Sequence, residues 1–122
     1  MHAKLSWIEH ANTKILYADW KNLSDDNFVS AVEGIIELYK TSKPHSILVL
    51  IDVTNSYANE EVKKKMKYAN QISAAKKIAG IGVTGIKRVI ANVVKKDIYF
   101  ANDMNDAKKY LVSWLSQENG WL

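Results

Sequence analysis

The sequence predicts an α/β fold, in which a mixed five-stranded sheet with an N-terminal hairpin is accompanied by four helices in the order ββαβαβαβα. Residues 4–10 and 14–20 are rich in aromatic and β-branched residues on either side of a short polar turn, which is typical of a hairpin. The apolar run Ile47 to Ile51 is too short for a helix and indicates a strand covered on both faces. Because strand and helix signals alternate after the hairpin, we expect parallel later strands joined by right-handed crossovers.

Local signals place the elements of the first half. Asn12 lies in the hairpin turn and readily takes a positive φ. Ser24 is predicted to cap the first helix, which should end near Ser42 because the residue before Pro44 avoids helical angles. The core-facing residues of this helix recur at spacings of three and four: Phe28, Val32, Ile35, Ile36 and Tyr39.

The second half is predicted to alternate between helices and strands. A helix begins at Asn59, and a strand follows over residues 77–83. A third helix begins at Thr84, residues 98–100 form the fifth strand, and Asp103 caps the last helix. The carboxyl ends of the parallel strands should then meet the amino ends of the helices along one edge, where such folds bind ligands.

The composition is that of one globular domain over residues 1–122. The chain has no cysteine, which excludes disulfides and cysteine nucleophiles, and no apolar run approaches the roughly 18 residues of a membrane span. The N-terminus lacks a signal-peptide core, so we expect a cytoplasmic protein without a transmembrane segment. Charge is divided unevenly, because residues 1–61 carry 5 Lys or Arg against 9 Asp or Glu, whereas residues 62–122 carry 12 against 4.

Three stretches of the sequence, each at the end of a predicted strand, together form a distinctive pattern. Asp52-Val53-Thr54 follows the third strand, Gly82-Val83-Thr84-Gly85-Ile86-Lys87-Arg88-Val89-Ile90-Ala91-Asn92-Val93 follows the fourth, and Phe100-Ala101-Asn102-Asp103 closes the fifth ahead of Ala107-Lys108. Together they resemble a bacterial and archaeal family of small SpoIIAA-like proteins. The resemblance covers nearly the whole chain and implies an anti-sigma-factor-antagonist (STAS) type of fold, related to the CRAL-TRIO lipid-transfer fold.

The phosphorylation motif of STAS regulators is not matched. Those regulators carry an Asp-Ser-Ser-Gly type of sequence ahead of the second helix, in which one serine accepts the phosphate. This chain has Thr54-Asn55-Ser56-Tyr57-Ala58-Asn59 instead. Thr54 and Ser56 place hydroxyls at about the right position, but we favour a structural role in which they bond backbone groups of the strand-to-helix loop.

A candidate interaction or anion site lies where the third and fourth strands end. The free amides at the start of the third helix, beside Lys87 and Arg88, are suited to a phosphate or a carboxylate. The alternative is that Thr84 caps this helix and that both cations are solvated. The candidate residues are Asp52, Thr54, Ser56, Thr84, Gly85, Lys87 and Arg88.

Other ligand classes have weaker support. Residues 80–85 satisfy the G-x-G-x-x-G pattern, but a dinucleotide fold places this turn after its first strand, so we expect no cofactor. Arg88 is the only arginine in the basic half and no exposed aromatic pair is evident, which disfavours binding of nucleic acid.

The sequence also gives little support for metal binding or catalysis. The histidines are scattered along the chain, so their spacing indicates neither a metal cluster nor a catalytic triad. Asp19 and Asp52 end strands, where aspartates more often bond loop amides than form a catalytic pair, so we predict no enzyme.

The aromatic residues are predicted to fill the core. Those on elements with an inward face are Trp7, Tyr17, Trp20, Tyr39, Tyr68, Tyr110 and Trp114. Trp121 and Leu122 follow Gly120 and should dock back or become buried in a partner. A homodimer is therefore one expected state, with the hairpin edge as a second candidate surface.

These observations leave two main functions. The first is a non-catalytic regulatory or protein-interaction module of the SpoIIAA-like class, acting through residues 52–59 and 84–88. The alternative is a protein that binds a small amphipathic or lipid-like ligand between the helices and the sheet, as kinship with CRAL-TRIO domains implies. That alternative requires an apolar void of roughly 300 Å³ or more. Non-specific binding of nucleic acid through the basic half ranks below both.

Overall fold

One mixed sheet with helices on both faces organises the chain. The computed structural model describes residues 4–82 and 98–119, with side chains as far as Ser113. The elements are β1 (Leu5–His10), β2 (Thr13–Asp19), α1 (Asp25–Lys40), β3 (Ile47–Asp52), α2 (Glu60–Gln71), β4 (Ala75–Ile81), β5 (Ile98–Ala101) and α3 (Met104–Asn119). The predicted α/β class and the five-stranded mixed sheet are confirmed. The helix predicted from Thr84 and the terminal pair Trp121 and Leu122 lie outside the described residues.

The strands lie in the sheet in sequence order, β1-β2-β3-β4-β5. β1 is antiparallel to β2, whereas β2, β3, β4 and β5 are all parallel to one another, as expected. The hairpin turn has positive φ at both Ala11 (52°) and Asn12 (60°). Two left-handed residues are characteristic of the turns whose twist matches paired strands, so the Asn12 prediction is confirmed.

The central strand β3 is buried on both faces, as its unbroken apolar run predicts. Ile47 and Val49 belong to the core shared with α1 and α2, whereas Leu48 and Leu50 belong to the core beneath α3. Because alternate side chains of a strand point to opposite faces, both faces need an apolar cover. The sheet therefore separates two cores.

The sequence predicts the buried face of helix α1 correctly but not the way in which its N-terminus is capped. Phe28, Val32 and Ile35 are almost completely buried, and the helix ends at Lys40, before Pro44, as expected. Ser24 occupies the N-cap position, but its side chain makes no capping hydrogen bond, so that part of the prediction is wrong. The next residue, Asp25, has a φ of 48°, which turns the chain into the helix by a path unlike the usual cap.

Helices α2 and α3 both have side-chain caps at their N-termini, and the cap of α3 by Asp103 is the one that the sequence predicted. The Asn59 side chain accepts a hydrogen bond from the Val62 amide at 2.9 Å, and the Asp103 carboxylate accepts one from the Asp106 amide at 2.8 Å. These bonds satisfy amides that the first turn of a helix leaves free. An ion pair of 3.5 Å between Lys65 and Glu33 joins α2 to α1. The two side chains are about half exposed, at 37% for Lys65 and 51% for Glu33, so water screens the pair and its contribution to stability is small.

The aromatic side chains divide between core and surface. Trp20 and Tyr39 are buried as predicted, but Trp7 is 44% exposed and Tyr68 is 42% exposed, which corrects the prediction that both fill the core. Trp7 lies on β1, an edge strand, so it has a neighbouring strand on one side only. Tyr68 lies beneath the Lys40 ammonium, 5.7 Å from the ring centroid, at the surface between the two helices. Within the described residues, no helix combines the length and the apolar character needed to cross a bilayer.

Tyr39 should make stability depend on pH in the alkaline range. Burial raises the pKa of Tyr39 to about 12, against an opposing hydrogen bond from Ser73. Because the neutral phenol is favoured in the folded state, its stabilisation is complete below pH 10 and is lost as pH rises towards 12. We expect a loss of about 1.4 kcal/mol per pH unit across this window. Urea unfolding of the wild type and of Tyr39→Phe between about pH 9 and pH 11.5 measures this decrease in the free energy of unfolding.

The Tyr39→Phe variant is the matched control, because the lysines titrate equally in both proteins. The free energy of unfolding of the wild type should fall relative to that of the variant above pH 10. A difference that stays constant with pH would contradict the assignment.

Candidate functional site

The carboxyl ends of the parallel strands lie along one edge of the sheet. Asp19 at the end of β2 pairs in register with Asp52 at the end of β3, and Asp52 pairs with Ile81 at the end of β4. The loops that leave these strands therefore start as neighbours. Among the predicted site residues, Asp52, Thr54 and Ser56 lie together at this edge. The others, Thr84, Gly85, Lys87 and Arg88, lie outside the described residues.

Gly82 brings the end of β4 into direct contact with the loop that follows β3. A Cβ at this position would lie 2.1 Å from Thr54 Oγ1 and 2.6 Å from Thr54 Cα, and Gly82 has a φ of 71°. The Val53 amide donates to the Ile81 carbonyl at 3.0 Å beside it. Both the space and the backbone angle require glycine here. The glycine at 82 is therefore explained by close packing of the two chain segments, without a nucleotide.

The strand-end aspartates bond loop groups, as the sequence predicted. Asp52 is 7% exposed, and its Oδ1 accepts hydrogen bonds from the Thr54 amide at 3.0 Å and the Thr54 hydroxyl at 2.6 Å. Asp19 Oδ1 accepts from the Lys21 amide at 3.4 Å. The Asp52 carboxylate thus fixes the start of the loop, and the Thr54 hydroxyl bonds this carboxylate instead of the backbone group we expected.

Ser56 joins two loops that are far apart in sequence. Its Oγ accepts a hydrogen bond from the Leu23 amide at 2.9 Å and donates one to the Trp20 carbonyl. The hydroxyl bonds backbone as predicted, but the backbone belongs to the loop after β2. Since Oγ is engaged both as donor and as acceptor, this geometry supports a structural role for Ser56 over that of a phosphate acceptor.

The loops after β2 and β3 form one hydrogen-bonded unit, which we call the loop pair and define as residues 20–24 and 53–59. The Asn22 amide donates to the Thr54 carbonyl at 3.0 Å, and the Tyr57 amide donates to the Leu23 carbonyl at 2.9 Å. The Asn55 side chain donates to the Asn22 side chain at 2.8 Å. Asn22 and Asn55 both have left-handed backbone angles, which asparagine adopts more readily than most residues.

Tyr57 is the exposed aromatic residue of the loop pair. Its side chain is 69% exposed, although its main-chain amide is bonded to Leu23. Tyr57 is not among the residues predicted for the site, which in this loop are Thr54 and Ser56. The available signal was a large aromatic residue in an otherwise small and polar loop.

Carboxylates surround the loop pair. The first turn of α1 carries Asp25 and Asp26, and the first turn of α2 carries Glu60 and Glu61, all exposed. The Asn59 side chain donates to Asp25 at 3.2 Å, so the two helix starts are adjacent. Acidic residues are stabilising at the positive end of a helix dipole, but they repel anions. Anion binding therefore depends on residues 84–88 and remains a prediction.

The described part of the chain contains a small cleft between the helices and the sheet. A half-enclosed cleft of about 70 Å³ lies on the face of the sheet that α1 and α2 cover. This volume is well below the roughly 300 Å³ of a site that encloses a lipid-like ligand. Among the described side chains, those of residues 4–82 and 98–113, no three acidic or histidine side chains form a group that could bind a metal ion.

Comparison of the chain with protein-family models, curated proteins and solved structures finds no match. The resemblance to the SpoIIAA-like family therefore remains a prediction from the sequence.

Substitution of Gly82 should destabilise the fold strongly. We expect Gly82→Ala to lower the free energy of unfolding by about 2–4 kcal/mol, because the new methyl group meets the Thr54 backbone. Gly82→Asn should be no better, although asparagine tolerates the φ, because its Cβ meets the same atoms. Urea denaturation measures both. Stability restored by asparagine would show that the backbone angle, and not the contact with Thr54, requires glycine.

Loss of the Ser56 hydroxyl should also destabilise the protein. Ser56→Ala leaves the Leu23 amide and the Trp20 carbonyl without their partner, which we expect to cost about 1–3 kcal/mol. Ser46→Ala is the matched control, because the Ser46 hydroxyl makes one exposed bond to the Lys43 carbonyl, and it should change stability by less than about 0.5 kcal/mol. Equal midpoints of thermal unfolding for the two variants would contradict the role of Ser56.

Proposed function

We propose that this protein is a non-catalytic regulatory module that binds a protein partner through the loop pair, with Tyr57 as the central contact. The observation that carries the proposal is the combination of a 69% exposed tyrosine ring with a main chain held by hydrogen bonds to a second loop. Tyrosine is enriched among residues that dominate binding energy at protein interfaces.

The rigidity of the loop pair supports this proposal. Asp52 holds the start of the second loop, Ser56 joins it to the first, and Gly82 packs against Thr54. A surface that is already ordered loses little conformational entropy when a partner binds. The hydrogen bonds that order the loop pair are thus an energetic advantage in recognition.

The charge of the surrounding surface indicates the chemistry of the partner. Four exposed carboxylates stand at the starts of α1 and α2: Asp25, Asp26, Glu60 and Glu61. Lys63 neutralises one of them by an ion pair of 3.0 Å with Glu60. The complementary partner therefore presents basic side chains around an apolar recess that accepts the Tyr57 ring.

The finer parts of the proposal rest on the sequence. The assignment to the SpoIIAA-like, STAS-type class is supported by the three stretches described above. A cytoplasmic location is part of the proposal and agrees with a sequence that contains no cysteine. The Ser56 geometry supports regulation by contact over regulation by phosphorylation of this loop.

A photo-crosslinking experiment tests the proposed surface. The tagged protein is expressed in cells of its source organism with a photoreactive phenylalanine analogue at position 57 or, in a second sample, at position 68. Tyr68 is the matched control, because it is also an exposed tyrosine but lies on α2, away from the loop pair. We expect a crosslinked protein with the probe at position 57 and none with the probe at position 68. Identical products at both positions, or none at either, would refute the proposal.

A set of substitutions tests separately the contribution of the Tyr57 ring and that of the surrounding carboxylates to partner binding. With the crosslinked protein in hand, Tyr57→Ala should weaken its binding at least about tenfold, because loss of an interface anchor costs about 2 kcal/mol or more. Glu61→Lys should slow association and reduce its dependence on salt. Tyr68→Ala should leave the affinity unchanged. Surface plasmon resonance at two salt concentrations measures all three.

A further inference from the structure

Strand β1 forms an edge of the sheet without the features that usually protect such an edge. Within the described residues it pairs with β2 and with no other strand. Its six residues, Leu5–His10, include no proline and no lysine, and its register with β2 runs without interruption. The opposite edge strand, β5, has only four residues, and short edge strands are one way in which proteins limit pairing with other chains. Of the two edges of the described sheet, β1 is therefore the one suited to a further strand.

The hydrogen bonds of the hairpin identify the main-chain groups of β1 that face outward. The Asp19 amide donates to the Lys4 carbonyl at 2.9 Å, so the main chain of Lys4 faces β2. Successive residues of a strand direct their main-chain groups alternately to its two sides, so every second residue after Lys4 also faces β2. The amides and carbonyls of Leu5, Trp7 and Glu9 therefore face the open side of the strand.

Trp7 lies at the centre of this outward-facing set. Its side chain is 44% exposed, although Leu16, the residue opposite it on β2, is fully buried in the core beneath α1 and α2. Residues directly opposite each other in paired strands point to the same face of the sheet. Trp7 thus lies on the face that α1 and α2 cover, at the margin of their cover. A strand added beside β1 would bury this ring further.

We propose that β1 pairs with β1 of a second copy of this chain, antiparallel and with Trp7 opposite Trp7. In this register Leu5 of each copy lies opposite Glu9 of the other, so all three outward-facing residues exchange main-chain hydrogen bonds. A shift of one residue would place Trp7 opposite Ser6, whose main-chain groups face β2, and the bonds would be lost. A shift of two residues would leave either Leu5 or Glu9 without an opposite residue in β1.

The side chains of β1 are compatible with pairing to themselves. Cross-strand aromatic pairs are stabilising, and the proposed register brings the two Trp7 side chains together. Glu9 meets Leu5 of the second copy instead of a second carboxylate, and its charge already lies opposite Lys14 on β2. The pairing therefore brings together no two carboxylates and no two ammonium groups. It uses a surface separate from the loop pair, so it does not depend on the proposed protein partner.

Size-exclusion chromatography with light scattering tests the dimer. At micromolar concentration we expect the wild type to have twice the chain mass. Trp7→Lys should have the mass of one chain, because the variant places two ammonium groups opposite each other at the centre of the interface. Phe100→Lys is the matched control and should stay dimeric, because Phe100 is an aromatic residue of similar exposure, 39%, on the other edge strand. Circular dichroism verifies that both variants are folded. A monomeric wild type, a dimeric Trp7→Lys or a monomeric Phe100→Lys would overturn the proposal.

Cysteine cross-linking tests the register. The chain has no cysteine, so one introduced residue supplies the only thiol. Trp7→Cys should give a covalent dimer on mild oxidation, because the proposed register places the two Cα atoms about 5.5 Å apart, within the range of a disulfide. Glu9→Cys is the control and should give none, since its two thiols would lie roughly 13 Å apart along the strands. No covalent dimer from Trp7→Cys, or equal yields from the two variants, would also overturn the proposal.

Discussion

Burial of β3 on both faces is the constraint from which the rest of the structure follows. Val49 and Leu50 are both fully buried, but in different cores. A strand of this kind needs helices on both sides and parallel neighbours joined by crossovers. Parallel neighbours in turn deliver the loops after β2 and β3 to the same edge of the sheet. The loop pair thus exists because of an apolar pentapeptide in the middle of the sheet.

At that edge, polar contacts replace apolar packing as the organising force. Hydrogen bonds engage the side chains of Asp52, Thr54 and Ser56 with groups of the same loop or of the loop beside it. Gly82 allows the end of β4 to approach Thr54 closely. The hydroxyls that the sequence offered for chemistry are therefore engaged in holding the backbone. What this arrangement leaves available to a partner is the Tyr57 ring and a border of carboxylates.

The sequence predicted what depends on neighbours within a few residues. The β3 run, the buried stripe of α1 and the Asp103 cap were identified because their signals repeat or lie within one turn of helix. The partners of Ser56 lie 33 and 36 residues away, at Leu23 and Trp20, so no local pattern could reveal them. Exposure of Trp7 depends on the position of β1 at the sheet edge, which strand propensity alone does not specify.

The bonding between residues 20–24 and 53–59 also limits how the protein can be recombined. The two loops are separated in sequence by α1 and β3, yet Asn22 bonds Thr54 and Leu23 bonds Ser56 across the gap. A chimera whose crossover point falls within α1 takes residues 20–24 from one parent and residues 53–59 from the other. The hydrogen bonds between the two loops then form only if the donors of one parent match the acceptors of the other. Transplantation of this surface onto a related scaffold therefore requires both segments as one cassette, with glycine retained at the residue that follows β4.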